Sequence, residues 1–181
     1  MTDVSRSVMI VTGATGALGG AVARRAQGIG ARLVLPGRSE ERLVEAFGDA
    51  GPDRLLVGGF DQSKADACAS LMERALARFG RVDAVLNSVG GFAMGDVQAD
   101  PWSAWERMIE SNVRTAVALT RAALPSMRDQ GRGRIVHVGA NAGLRGGAGM
   151  GAYAASKAAL MRLVESAAAE AGADGVTVNA V

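Results

Sequence analysis

Short apolar runs alternate with longer stretches of helical spacing along the whole chain. The runs fall at residues 8–11, 32–35, 55–57, 82–86, 135–138 and 176–178, mostly Val, Ile and Leu, each bounded by Gly, Pro, Asn or Asp. Such segments read as strands. They are continuous rather than alternating, which suits a parallel sheet covered on both faces. Residues 18–27, 40–47, 64–79, 102–124 and 154–171 read as the intervening helices. Leu71, Ala75 and Phe79 place an i, i+4, i+8 stripe on the third of these. Pro125 is expected to end or kink the fourth. Strand and helix alternate to a final strand, and right-handed crossovers between parallel strands give an α/β, doubly wound sheet. No linker, low-complexity stretch or short repeat interrupts the pattern, so residues 1–181 read as one domain.

Composition narrows the function. The chain is 49% hydrophobic and 21% charged, enough apolar content for a core and against disorder. Its net charge is only +2 and its aromatic content 4%, which argues against nucleic acid as a partner. One cysteine, Cys68, and one histidine, His137, exclude an internal disulfide framework and a Cys- or His-based metal site. His137 lies in the fifth apolar run and reads as a packed histidine rather than a catalyst. Cys68 reads as a small core residue, and Trp102 and Trp105 as packing at a helix start. No apolar run reaches 18 residues and the first 11 residues lack a secretory pattern. The expected setting is therefore a reducing cytoplasm, without a membrane partner.

Glycine is abundant, 25 of 181 residues, and it concentrates where chemistry is expected. The first strand leads into Thr12-Gly13-Ala14-Thr15-Gly16-Ala17-Leu18-Gly19-Gly20 and then a helix. A strand, a Gly-rich turn and a helix N-terminus form a phosphate-binding context, because small residues admit the ligand to the backbone amides. Gly13, Thr15, Gly16, Ala17, Leu18 and Gly19 are the candidate contacts; a plain tight turn is the alternative. The doubly wound fold is then of the Rossmann type.

On this turn the chain resembles the short-chain dehydrogenases/reductases. That family writes Thr-Gly, three residues, Gly, one residue, Gly. Thr12, Gly13 and Gly19 match, whereas Ala17 stands where the middle glycine is usual. The methyl group of Ala17 is expected to push a pyrophosphate slightly outward. The second strand ends Pro36-Gly37-Arg38-Ser39, with no acid to take the ribose hydroxyls of NAD. Arg38 suits a 2′-phosphate, so NADP (NADPH) is preferred over NAD, as in family members with Gly-Arg here; a solvated surface charge is the alternative. The resemblance implies that Asp61 meets the adenine amino group, although Asp61 also reads as a helix N-cap. Asn87-Ser88-Val89-Gly90 resembles the family's Asn-Asn-Ala-Gly stretch, which lines the cofactor; Asn87 and Gly90 match, Ser88 and Val89 depart.

Tyr153 and Lys157 stand four apart and share a helix face. Tyr153 is the only tyrosine, and Lys157 is one of two lysines in an arginine-rich chain. A compact ammonium beside a phenol favours the phenolate and makes proton exchange feasible near neutral pH. This is the family's Tyr-three-Lys motif. The resemblance implies Tyr153 as general acid/base, Lys157 as its ribose-binding partner and Asn112 as holder of a relay water. A simple polar helix residue is the alternative for Asn112.

One position departs. The family's catalytic serine, thirteen residues before the tyrosine, is Ala140 here. Losing one oxyanion donor typically costs about 2.7–4 kcal/mol, or ~10²–10³ in rate. Quinonoid dihydropteridine reductases also lack this serine. The chain resembles them in its Gly-Ala-Leu-Gly turn, in Gly90-Gly91-Phe92 and in Gly139-Ala140, although they favour NADH.

The family pattern usually continues through a Pro-Gly turn, a substrate-covering loop and helix, and a last strand. The sequence carries none of these after Val181 and reads as truncated after the sixth strand, with an open substrate side. The resemblance thus implies an NADP-dependent oxidoreductase acting on a small carbonyl or alcohol. A dinucleotide-binding module without turnover, or a dihydropteridine-type reductase, stands as the alternative. The Ala-rich helices are expected to pair in a homodimer or homotetramer, as in family members.

Overall fold

The computed structural model describes residues 4–181. It contains six strands, β1 (Val8–Thr12), β2 (Arg32–Pro36), β3 (Arg54–Val57), β4 (Ala84–Asn87), β5 (Gly133–His137) and β6 (Val176–Ala180). Six helices lie between them: α1 (Ala17–Gly28), α2 (Glu40–Phe47), α3 (Ala65–Phe79), α4 (Trp102–Ile109), α5 (Thr115–Asp129) and α6 (Gly151–Ala171). The strands form one sheet in the order β3-β2-β1-β4-β5-β6, parallel throughout. Strand order reverses between β1 and β4, where Thr12 stands opposite Asn87 at the C-terminal ends. A crevice opens at such a reversal, and ligands of doubly wound sheets bind there.

Helices cover both faces, as the continuous apolar strands require. Side chains alternate across each strand. Val8, Ile10 and Val34 join Leu71, Leu119, Met127 and Leu160 in one core layer, against α3, α5 and α6. Val11, Leu33 and Leu35 join Ala23, Ala26, Leu43 and Phe47 in the other, against α1 and α2. Each fully buried leucine here contributes about 1.5–3 kcal/mol by leaving water. Cys68 is buried in the first layer, as its position in the sequence indicates.

Pro125 does not end a helix: it lies inside α5, which runs on to Asp129. Met127, beyond it, is fully buried. Core packing on both sides of the proline holds the helix through the missing backbone donor. The expected single helix over 102–124 is instead interrupted earlier, by a π turn at Glu110–Arg114. Trp102 stacks on Trp105 at a centroid distance of 6.4 Å but stays 74% exposed, so it caps the helix start without entering the core. Strand and helix ends otherwise lie within three residues of the expected ones.

Candidate active site

The turn after β1 is built for an anion. Gly13 sits at φ +69°, a left-handed conformation that favours glycine. A side chain at Gly19 would collide with the Gly13 carbonyl and with Ser88. The two loops are therefore in direct contact, and the Ser88 hydroxyl locks them by donating to the Thr12 carbonyl at 2.7 Å. α1 begins without a side-chain cap and without an acid in its first turn. Its first amides are thus available to a phosphate, and the helix dipole favours negative charge there. Ala17 is exposed at the first helical position, and Leu18 is 52% exposed.

A groove of about 540 Å³ runs from this turn along the C-terminal ends of the strands. Gly13, Thr15 and Gly16 form one wall, Gly37, Arg38 and Asp61 another, and Ser88 and Gly90 a third. Arg38 is exposed on the groove, and no ion pair occupies it among the described residues. Asp61 accepts from the Ser63 hydroxyl at 2.8 Å and the Ser63 amide at 3.0 Å, and these two bonds lower its pKa. Its side chain braces this turn and does not cap the helix; the residue before α3 is Lys64. The phosphate cradle, the uncapped helix and the size of the groove fit a nicotinamide dinucleotide.

A buried polar network underlies the groove floor. The Asn87 carbonyl oxygen accepts from the Thr12 hydroxyl at 2.9 Å, the Gln62 amide at 2.8 Å and the Val89 backbone amide at 3.2 Å. The Val89 donor fixes which end of the Asn87 amide is oxygen. Asn87 Nδ2 therefore donates to His137 Nδ1 at 3.1 Å, and His137 Nε2 donates to the Thr120 hydroxyl at 3.0 Å. Burial, with the Lys157 charge second, pushes the fully buried His137 down to about 4. It is a neutral packed ring, as its sequence position suggests.

Tyr153 and Lys157 lie one turn apart in α6. The Tyr153 ring meets Phe92 edge to face at 4.9 Å. Lys157 is buried, and its Nζ donates to the Val138 carbonyl at 2.7 Å. Burial lowers its pKa from the ordinary lysine value. Asn112 stands in the π turn and is also buried. Its Oδ1 accepts from the Gly91 amide at 2.9 Å, and its Nδ2 donates to the Gly91 carbonyl and the Ser156 hydroxyl, both at 3.0 Å. A Cβ on Gly90 would lie 2.6 Å from Asn112 Oδ1 and 3.6 Å from Lys157 Nζ. Glycine thus brings the loop after β4 against both residues. Ala140 is half-buried just after β5 and offers no hydroxyl.

Gly90, Asn112 and Lys157 therefore meet at one point, with Tyr153 one turn from Lys157. Asn87 lies beneath the groove and not on its wall, while Ala17, Leu18 and Gly19 stand at its end. Gln62 and Thr120 are partners that sequence reasoning passed over, and Phe92, which enters there only through a resemblance, is the ring that Tyr153 meets. Only a buried amide or hydroxyl at a strand or helix end could have signalled the first two. Among the described residues no cluster of His, Cys, Asp or Glu forms a metal site, and no helix is long and apolar enough to cross a membrane.

Sheet order, crevice and Gly-rich turn define the class of nicotinamide-dinucleotide proteins with a Rossmann fold. Comparison with known proteins places the chain within it. Residues 7–181 match the family model for short chain dehydrogenases. The chain is 36% identical over 182 residues to an uncharacterized oxidoreductase of Mycobacterium tuberculosis, covering 99% of this chain and 67% of that one. An uncharacterized oxidoreductase of Staphylococcus aureus is 28% identical over 181 residues, covering 100% of this chain and 78% of that one. The crystal structure of a short-chain dehydrogenase from Streptomyces avermitilis superposes with a TM-score of 0.88 at 32% identity. That match covers 97% of this chain and 64% of the other, so the chain spans under two thirds of that enzyme's length. The chain belongs to the short-chain dehydrogenase/reductase family, whose members are NAD(P)-dependent oxidoreductases.

Proposed function

We propose that this chain is an NADP-dependent oxidoreductase that interconverts a small carbonyl compound and its alcohol, with Tyr153 as general acid/base. The observation that carries the reading is the meeting of Lys157, Asn112 and Gly90 one helical turn from Tyr153. A nicotinamide dinucleotide, when bound, supplies or accepts the hydride. The amides of Thr15, Ala17, Leu18 and Gly19 hold its pyrophosphate, while Gly16, whose own amide donates to the Gly13 carbonyl at 2.9 Å, keeps the turn open beside it; Arg38 takes a 2′-phosphate through its planar guanidinium. Asp61, braced by Ser63, keeps an acceptor for the adenine amino group. Asn87 and Ser88 fix the groove floor, and Gly90 admits the ribose.

In carbonyl reduction, the Tyr153 hydroxyl would give its proton to the substrate oxygen. The alcohol leaves, and Tyr153 regains a proton from solvent. Lys157, held on the Val138 carbonyl, presents its charge beside the phenol and its remaining protons to ribose hydroxyls. Asn112 holds Gly91, and with it the loop that carries Gly90. With alanine at 140, Tyr153 is the one hydroxyl that the family pattern offers to the substrate oxygen. The small-residue helices α5 and α6 support a homodimer or homotetramer.

Titration of the purified chain with NADPH and NADH, followed by a carbonyl panel, tests the reading. NADPH binding tighter than NADH, with turnover on at least one carbonyl, supports it. Binding without turnover supports the second reading, a dinucleotide-binding module, which Ala140 favours. Turnover of a quinonoid pterin driven by NADH supports the dihydropteridine-type alternative. Binding of neither dinucleotide overturns all three.

A further inference from the structure

The cradle described above uses one end of the sheet. At the other end, the chain segments leading into β1, β4 and β5 enclose a second cavity of about 490 Å³, within the size range of small-molecule sites. At roughly 3.3 Å per residue, the length of β1 puts it about 13 Å from the Gly-rich turn, across the packed core.

Four arginines line this cavity, Arg6, Arg81, Arg132 and Arg134, with one carboxylate, Asp83. Four positive charges against one negative leave +3 among these groups. Asp83 is already engaged. Arg81 grips it through Nη2 at 2.6 Å and Nε at 3.0 Å, and the Val8 amide donates to it at 2.9 Å. Arg132 reaches it only at 3.4 Å. Arg134 is positioned without being neutralised: its Nη1 donates to the Gly133 carbonyl at 2.7 Å and the Gly175 carbonyl at 3.1 Å. Arg6 has no acceptor for its guanidinium among the described residues. It is also the one non-glycine residue with positive φ among them, at +64°, a conformation that non-glycine residues avoid. Repulsion among guanidinium groups is tolerated where an anion relieves it, and their planar forks match phosphate and carboxylate oxygens.

We propose that this basal cavity binds a small polyanion carrying two or more phosphate or carboxylate groups, independently of the dinucleotide groove. The test is calorimetric titration of the 181-residue chain with tripolyphosphate, and in parallel with citrate, at about 150 mM NaCl, where exposed charges are screened beyond ~8 Å. One-to-one binding is expected with NADPH present at saturation to occupy the phosphate cradle after β1. Replacing Arg6→Gln together with Arg132→Gln weakens it about tenfold or more, whereas Arg38→Ser in the dinucleotide groove leaves it within about twofold. Arg6 and Arg132 are exposed, so the melting curve of the double variant stays unchanged. If it shifts, Arg132→Lys serves instead, keeping the charge but losing the fork, and a fall in affinity is expected again. The stronger of the two anions tells phosphate from carboxylate. Absence of binding, or binding lost in Arg38→Ser and kept in the basal variants, overturns the proposal. Tighter binding of a DNA duplex than of tripolyphosphate also overturns it and assigns the patch to a nucleic-acid backbone.

Discussion

The ammonium of Lys157 rests 2.7 Å from the carbonyl oxygen of Val138, the last residue before the Gly139-Ala140 turn. One hydrogen bond thus ties the helix that carries Tyr153 to the end of the strand that shapes the substrate side. It consumes one of three donors of the ammonium and leaves the others to a ligand.

Tyr153 and Lys157 separate two kinds of loss. Tyr153→Phe keeps the ring and its contact with Phe92, and turnover falls about 10²–10⁴-fold while NADPH affinity stays within about twofold. Lys157→Met keeps the buried stem, and both turnover and NADPH affinity fall. Single-turnover kinetics beside a fluorescence titration separate the two.

Arg38 reports the choice of dinucleotide. Arg38→Ser is expected to weaken NADPH binding by about 10–100-fold, the range for one exposed charge-assisted contact, and to leave NADH unchanged. Raising salt narrows the difference between the two in the parent but not in the variant.

Asn112 closes three hydrogen bonds in a buried position. Asn112→Ala leaves both backbone groups of Gly91 unpaired, a cost of about 3 kcal/mol. The melting temperature drops by about 6–12 °C for a chain of this size. Turnover falls further than dinucleotide affinity, because the loop that carries Gly90 loosens.

His137 sets a pH limit on stability. The folded chain holds it neutral, at about 4, whereas an unfolded histidine takes its proton near 6.5. Its contribution is complete above pH 6.5 and is lost as pH falls from 6.5 towards 4, up to about 3 kcal/mol. Denaturant midpoints measured across this window fall with pH in the parent. In His137→Gln the part of the slope due to this ring disappears.

The order of strands and helices was legible because a buried parallel sheet demands continuous Val, Ile and Leu runs. The Tyr153–Lys157 pair was legible because helical spacing and residue scarcity coincide there. The role of Pro125 was not, because tertiary packing around Ala123 and Met127 outweighs a local rule. The shared acceptor on Asn87 was hidden as well, since Thr12 and Gln62 reach it from 75 and 25 residues away in sequence. The basal arginines are scattered along the chain in the same way, and only the sheet gathers them.

The π turn at Glu110–Arg114 carries a liability in terms of chain length. Each residue added to or removed from a helix rotates everything beyond it by about 100° around the axis. Removing a single residue between α4 and α5 would restore an ordinary helix locally. The wider turn already absorbs one extra residue, so on its removal Leu119, Ala123 and Met127 would keep facing the sheet while Asn112 comes off Gly91; a deletion in the regular helix on either side would swing the core face away instead. Single-residue deletions should therefore be far less tolerated in this segment, where Asn112 is buried and Arg114 alone is exposed, than in the exposed loop at 96–100.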